Sequence, residues 1–195
     1  MRKFLLFLIV SLAGCLASAC STVKTAEPAK PAEPTIEFNT NFTIREIMQS
    51  MVEPKADTLW NAVSTEVTAK GPQTKAPKNE EEWAHVRHEA VTLSEAMNLI
   101  LMSGRKVAKP GDQPKDPKVE LTPDQIEKLI GEDRASFAKM AKALQDSVAV
   151  AIKAIDAKDS EGLSNAGGGI DTACETCHKK YWYPNEDKAA APATK

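Results

Sequence analysis

Near the C-terminal end of the chain, two cysteines and a histidine follow the pattern Cys-x-x-Cys-His, as Cys174, Cys177 and His178. This spacing is typical of covalent c-type haem attachment, in which the thiols form thioethers with the vinyl groups and the imidazole binds the iron. In a helix, residues i, i+3 and i+4 lie on one face, so all three side chains would face the same macrocycle. The pattern predicts one covalent haem c, with its iron, per chain.

Three other chemistries would also use a pair of cysteines, and each fits this sequence less well. A structural zinc site requires four ligands, usually from two pairs, and the exported part of the chain has no second cysteine pair. A thioredoxin-like site would follow a strand in a βαβ unit, which the sequence does not predict. A disulfide between Cys174 and Cys177 stays open in an oxidising compartment, but it gives His178 no role.

The residues around the motif predict a helix over about 160–182 that packs inward, with Pro184 as its stop. Apolar and motif residues share one face of it, namely Ile170, Ala173, Cys174, Cys177, His178 and Tyr181. Three consecutive glycines at 167–169 are costly in a helix interior. Either the regular helix begins near Ile170, or the missing side chains let the haem or a partner helix approach closely, which we favour.

A first helix is predicted to begin at Thr43, which can form a capping box with Glu46. Its apolar face has helical spacing and consists of Ile44, Ile47, Met48, Met51 and Val52. Pro54 should kink or break this helix, because it cannot donate a hydrogen bond to the Ser50 carbonyl. The apolar pattern nevertheless resumes as far as Val63.

Two more helices complete the predicted fold. One is capped by Asn79 and ends near Gly104. The other begins at Thr122, with Pro123 at its first position, and runs to about residue 155; Gly131 could kink it without ending it. A long loop over 103–121 separates these two helices. The sequence thus predicts an all-α, four-helix bundle with the haem attached near the C-terminal end of the last helix.

The predicted bundle occupies residues 40–183 of the 195-residue chain. Residues 1–14 have the basic start and short apolar core of a signal peptide. Residues 15–39 are expected to form a proline-rich tether, and residues 184–195 a disordered tail. Removing residues 1–14 takes two basic residues from a chain with 25 Lys and Arg and 27 Asp and Glu, which leaves a net charge of −4. A mildly acidic chain without an aromatic-interleaved basic patch is not expected to bind nucleic acid.

The signal segment ends in Leu12-Ala-Gly-Cys15, which looks like the lipobox of bacterial lipoproteins. Cys15 is therefore the predicted lipidation site, Cys20 is the alternative, and an ordinary cleaved signal peptide stays open. Covalent haem attachment of this type is similar to that carried out by the maturation machinery on the periplasmic side of bacteria. Because Leu16 rather than an aspartate follows Cys15, we expect a lipid anchor in the outer membrane.

Four helices with the haem near the end of the last one resemble the cytochrome c-prime family, including low-spin relatives that use a methionine from the first helix. The resemblance covers residues 40–183. It rests on the run Cys174-Glu-Thr-Cys177-His178-Lys-Lys-Tyr181, on the order and size of the helices, and on Met48. It implies that Met48 is the second axial ligand of the iron. The long loop over 103–121 and Pro54 depart from the ordinary pattern of the family.

We expect a periplasmic one-electron carrier with His178 and Met48 as iron ligands, and not an enzyme, since no second titratable cluster accompanies the motif. The alternative is a five-coordinate protein that binds NO or CO. Whether Met48, Met51 or no residue fills the sixth iron position stays open. A non-haem structural lipoprotein is the third class considered. The expected partners are a periplasmic redox protein and the membrane, through the lipid anchor. A homodimer stays open.

Four other side chains are candidates for contact with the haem, and the sequence favours an ordinary surface position for each. His85 and His88 lie in a charged stretch and are interpreted as surface histidines. Arg45 and Arg105 are candidate partners for the haem propionates, because a guanidinium can bind a carboxylate through two hydrogen bonds. For either arginine, an ordinary exposed position is the better interpretation.

Overall fold

The computed structural model describes residues 37–186, so Cys15, Cys20, the signal segment and most of the predicted tether lie outside the described residues. In chain order, its elements are α1 (Ile44–Ile47), a π-helical turn (Met48–Val52), α2 (Glu53–Ala62), β1 (Ser64–Thr68), β2 (Gly71–Lys75), α3 (Glu80–Ile100), α4 (Pro123–Glu132), α5 (Arg134–Asp156) and α6 (Ser160–Tyr181). α1, the π-turn and α2 form one continuous helical segment, which we call the first helix. With α3, α5 and α6 it forms the predicted helical bundle.

The first helix begins with the predicted capping box. The Glu46 backbone N–H donates to the Thr43 hydroxyl at 3.2 Å, and the Thr43 backbone N–H donates to the Glu46 carboxylate at 3.0 Å. Pro54 does not break the helix, which was one of the two expected effects; it lies in the first turn of α2, directly after a π-turn that interrupts the regular α-helix. A missing backbone donor is tolerated in a first helical turn.

The π-turn is visible in the burial pattern of the first helix. Buried positions are spaced by three or four residues everywhere except across the π-turn, where five separate Ile47 from Val52. A π-turn holds one more residue than an α-helical turn, so the extra residue keeps both halves of the stripe on the core. Met48 and Met51 lie inside the π-turn, partly buried.

The other helices have the predicted caps, with one additional break. Asn79 accepts from the Glu82 N–H at 2.9 Å, and Thr122 forms a capping box with Gln125. The predicted third helix is two helices, α4 and α5, because Asp133 leaves helical geometry and caps α5 by accepting from the Ser136 N–H at 2.9 Å. Gly131 stays helical, so the break falls two residues later than the glycine.

A small antiparallel hairpin of β1 and β2 follows the first helix and was not predicted. Its register pairs Thr65 with Thr74 and Val67 with Pro72. Both strands are largely exposed, and the Val67 side chain is 86% exposed. The hairpin therefore adds little to the core, which lies among the helices.

The long loop that connects α3 to α4 holds the ends of two helices. Lys106 and Val107 accept hydrogen bonds from the first backbone N–H groups of α1, on Ile44 and Arg45, both at 2.9 Å. Leu121 donates its N–H to the Trp182 carbonyl, just beyond α6, at 2.8 Å. The start of the first helix and the end of α6 are thus fixed by the same loop.

Candidate haem site

α6 carries the Cys-x-x-Cys-His motif on a continuous helix. Asp159 caps it by accepting from the Gly162 N–H at 2.9 Å, and the helix passes through the three glycines without a break. Ile170 and Tyr181 are buried on its inner face. Between them, Ala173, Cys174 and Cys177 are only partly buried, although they pack against the core. The motif is therefore an apolar strip that the bundle leaves partly uncovered.

Gly167 explains part of the glycine run. The Trp60 indole N–H donates to the Gly167 carbonyl at 3.1 Å, and a Cβ added at Gly167 would lie 3.2 Å from the indole ring. A side chain on Gly168 would meet nothing within 4 Å, and one on Gly169 would only touch Ser147 at ordinary contact distance. The interpretation that a missing side chain admits a partner helix is confirmed at Gly167.

The contact between Trp60 and Gly167 fixes how the first helix lies against α6. The first helix begins, and α6 ends, on the same loop, so the two helices run in opposite directions. Met48 precedes Trp60 by 12 residues and His178 follows Gly167 by 11. At the α-helical rise, these counts correspond to about 18 Å from Trp60 to Met48 and about 17 Å from Gly167 to His178. Met51 precedes Trp60 by 9 residues, or about 14 Å, so its count matches that of His178 less closely.

Burial sets the protonation of the motif. It raises the pKa of the Cys174 thiol to about 11, with a further contribution from the neighbouring Cys177, and it raises the pKa of the Cys177 thiol to about 11. Burial also lowers the pKa of His178, against a smaller opposing effect of Glu175. Both thiols are thus protonated near neutral pH, and the imidazole is neutral with a free lone pair for a metal.

These side chains fit a haem better than a bare metal ion. Within residues 37–186, no group of three or more His, Cys, Asp or Glu is arranged to hold a metal ion, so the zinc alternative finds no ligand set there. A haem does not require the two thiols and the imidazole to converge on one metal ion. The thiols bond to the edge of the macrocycle, and only the imidazole binds iron. Cys174 and Cys177 are both free thiols and are available for such bonds.

Beyond the motif, the chain turns back over His178. Trp182 and Tyr183 both donate their backbone N–H groups to the His178 carbonyl, at 2.7 and 3.0 Å. The Tyr183 hydroxyl donates to the Glu175 carboxylate at 2.7 Å. The sequence predicts only core or haem-edge packing for Trp182 and Tyr183. It could not indicate the pairing with Glu175, because Tyr183 lies past the helix end, where helical spacing no longer applies.

The remaining candidates have other surroundings. His85 and His88 are exposed on α3. Arg105 donates to the backbone carbonyls of Leu99 and Phe42, and Arg45 lies 3.4 Å from the Asp112 carboxylate. Both arginines thus bind the segments that hold the start of the first helix.

A search of solved structures returns cytochrome c-prime from Alcaligenes xylosoxidans, in the family that the sequence resembles. A ferrous point mutant is 21% identical, with a TM-score of 0.43, over 72% of this chain and 97% of that one. The nitric oxide complex of the same mutant is 22% identical, with a TM-score of 0.44, over 75% of this chain and 99% of that one. No protein-family model and no curated protein matches the chain.

Among the helices of residues 37–186, none has the length and apolar character needed to cross a membrane.

Proposed function

We propose that the chain is a monohaem c-type cytochrome that carries one electron, with haem c bonded to Cys174 and Cys177 and its iron held by His178 and Met48. The observation that carries the proposal is the partly uncovered face of α6, which holds two free thiols and an imidazole. When bound, the haem supplies a one-electron redox centre. The chain's residues anchor it, hold the ligands and exclude water.

The surroundings of the two ligands favour a carrier over a catalyst. His178 and Met48 lie on helices whose ends share one loop, and that loop fixes both through backbone hydrogen bonds. Ligands held in this way move little when the iron changes charge, and a filled distal position leaves no room for a substrate. If the Met48 sulfur did not bind, the iron would keep an open sixth position in an apolar pocket. Such a pocket suits NO or CO, which is the second candidate function.

Haem staining of the intact chain tests the proposal. Co-expressed with the haem-attachment machinery, the wild type should keep haem on a denaturing gel, and the Cys174→Ala/Cys177→Ala variant should not. Replacing both remote cysteines, Cys15→Ser/Cys20→Ser, is the matched control and should leave the stain unchanged. Stain that persists without Cys174 and Cys177, or is absent from the wild type, would show the proposal to be wrong.

We also propose that Cys15 is lipidated and holds the protein on the periplasmic side of the outer membrane, where a redox protein would be its partner. The Leu-Ala-Gly sequence before Cys15 and the need for an exported chain in c-type maturation support this location. Cys15→Ser should move the protein from the membrane to the soluble periplasmic fraction, with Cys20→Ser as control. The opposite pattern would assign the lipid to Cys20.

A further inference from the structure

The residues that follow the motif enclose the imidazole of His178. The Trp182 ring lies edge-on to it, with centroids 5.0 Å apart at 88°, and the Tyr183 ring is tilted, at 5.8 Å and 58°. Trp182 and Tyr183 also pack on each other at 5.3 Å. A ring packed between two larger rings has few orientations available, so the position of this ligand depends on residues outside the motif.

One side-chain hydrogen bond closes this enclosure. The Tyr183 hydroxyl donates to Glu175, which lies inside the motif, between the two cysteines and three residues before His178. Residues three apart on a helix are neighbours, so Glu175 and His178 share one side of α6. The Tyr183 backbone N–H is bonded to the His178 carbonyl. A ring of contacts therefore runs from Glu175 along α6 to His178, on to Tyr183 and back to Glu175.

The bond fixes the place of the Glu175 carboxylate beside His178. Burial, followed by the bond to Glu175, raises the pKa of the Tyr183 phenol, which stays a neutral donor. Hydrogen bonds donated to a carboxylate are charge-assisted, and such bonds are short and strong. Glu175 is also the charged group that acts on His178 in the opposite direction to burial.

We infer that Glu175 and Tyr183 are a positioning pair for His178, which holds the imidazole in one orientation and keeps a negative charge beside the iron ligand. The inference rests on the proposed function, because the pair acts on the iron only through a haem-bound His178. A negative charge near the ligand stabilises ferric over ferrous iron, so the pair lowers the reduction potential. The two residues have different roles. Glu175 supplies the negative charge, and Tyr183 fixes the positions of that charge and of the imidazole.

Two conservative variants of the holoprotein separate these effects. Glu175→Gln keeps an oxygen that accepts from Tyr183 but removes the charge, and should shift the iron equilibrium toward ferrous about tenfold, or about 59 mV for one electron. Tyr183→Phe keeps the ring but removes the donor. It should move or broaden the His178 ring resonances in the paramagnetic NMR spectrum of the ferric protein, with a smaller rise in potential.

Each variant has a matched control. Tyr181→Phe removes a hydroxyl two residues away that donates to the Asp133 carbonyl instead, and should leave the His178 resonances unchanged. Asp171→Asn removes a carboxylate from the same helix, seven residues before His178, and should shift the potential less than Glu175→Gln does. Haem staining of every variant on a denaturing gel accompanies the two measurements.

The outcomes distinguish this inference from the proposed function. A wild type without covalent haem overturns both. A wild type with haem overturns the inference alone if Glu175→Gln and Asp171→Asn shift the potential equally, or if Tyr183→Phe leaves the His178 resonances as Tyr181→Phe does. Tyr183 lies outside both motif and helix, so its NMR result decides the inference even if the Glu175 variant does not mature.

Discussion

The first helix and α6 differ in how they pack at the two ends of their contact. At one end, the Trp60 indole lies against Gly167, where the absence of a Cβ lets a side chain reach the backbone and bond to it. At the other end, Met48, Cys174 and Cys177 are only partly buried, although they pack against the core. We call the first the closed end, because protein contacts alone fill it, and the second the open end, which the proposed haem would complete.

The difference indicates that, within this pair of helices, one end holds the fold together and the other is left for the proposed cofactor. The closed end sets the direction and level of the two helices through a bond that involves no motif residue. The loop between α3 and α4 then fixes their other ends. The open end can therefore present ligands at a set separation, without those ligands having to hold the helices together. Variants at the two ends of this contact test the division.

Met48→Ala should change the open end most. Loss of the thioether should convert the iron from low-spin to high-spin, lower the reduction potential because a ligand that favours ferrous iron is removed, and admit carbon monoxide. Met51→Ala is the matched control, because Met51 lies in the same π-turn but at a different level along the axis. Its optical spectrum should match that of the wild type.

The opposite pattern would assign the ligand to Met51. If neither variant changes the spectrum and the wild type is already high-spin, the carrier proposal gives way to binding of NO or CO. The carbon monoxide difference spectrum of the ferrous protein distinguishes these cases.

Gly167→Leu should damage the closed end. A leucine would displace the Trp60 indole and break its bond to the Gly167 carbonyl, which should lower the free energy of unfolding by about 1–3 kcal/mol. Gly168→Ala meets nothing within 4 Å and should instead raise it by about 1 kcal/mol, because alanine is the better helix former. Urea unfolding of both holoproteins measures these differences.

In a Trp60→Ala background, most of the cost of Gly167→Leu should disappear, since the displaced group is already gone. The optical spectrum should nevertheless stay unchanged in all these variants, because the loop between α3 and α4 still holds both helices at the end that carries Met48 and His178. A change in spin state on Gly167→Leu would contradict the independence of the two ends.

The fold could be predicted where side chains act locally. Thr43, Asn79 and Thr122 cap helices by bonding three residues ahead, so the sequence alone indicates the helix starts. The hairpin was missed because its strands are polar and exposed, with Pro72 in β2, and lack the alternation of a half-buried strand. The only sign in the sequence of the break between α4 and α5 is Asp133 itself, a residue type that often caps helices.

For the site, the motif residues could be identified because covalent chemistry fixes their spacing. The residues that surround the motif could not be predicted in this way. Trp60 and Gly167 are 107 residues apart, and their meeting depends on the packing of the whole bundle. The level of Met48 relative to His178 follows from that same contact, which is why spacing along the chain could not separate Met48 from Met51.

The smallest predicted effect concerns the cap of the first helix and depends on pH. Hydrogen bonds from Lys109 and from the Thr43 backbone lower the pKa of Glu46 from 4.5 to about 2. Because the folded pKa lies below the usual value, the stabilisation is fully present above pH 4.5 and is lost as the pH falls through about 2. Glu46→Gln should therefore lower the melting temperature at neutral pH but not near pH 2.

Lys109→Met removes the largest cause of this shift and should reproduce part of the neutral-pH loss. A Glu46→Gln deficit that stays constant between pH 6 and pH 2 would show that the carboxylate charge is not what the cap uses. Thermal melts followed by circular dichroism at a series of pH values provide the measurement.

The π-turn makes the first helix sensitive to length rather than to residue identity. Gln49 and Ser50 are exposed within it, so their side chains contribute little to packing. Deleting either one would let the segment return to an uninterrupted α-helix. Because the π-turn accommodates that one extra residue, the helix on either side of the deletion would keep the same faces on the core. A one-residue deletion at the surface would thus change the spacing between Met48 and Met51, and with it the side chain available to the iron, while every buried residue stays the same.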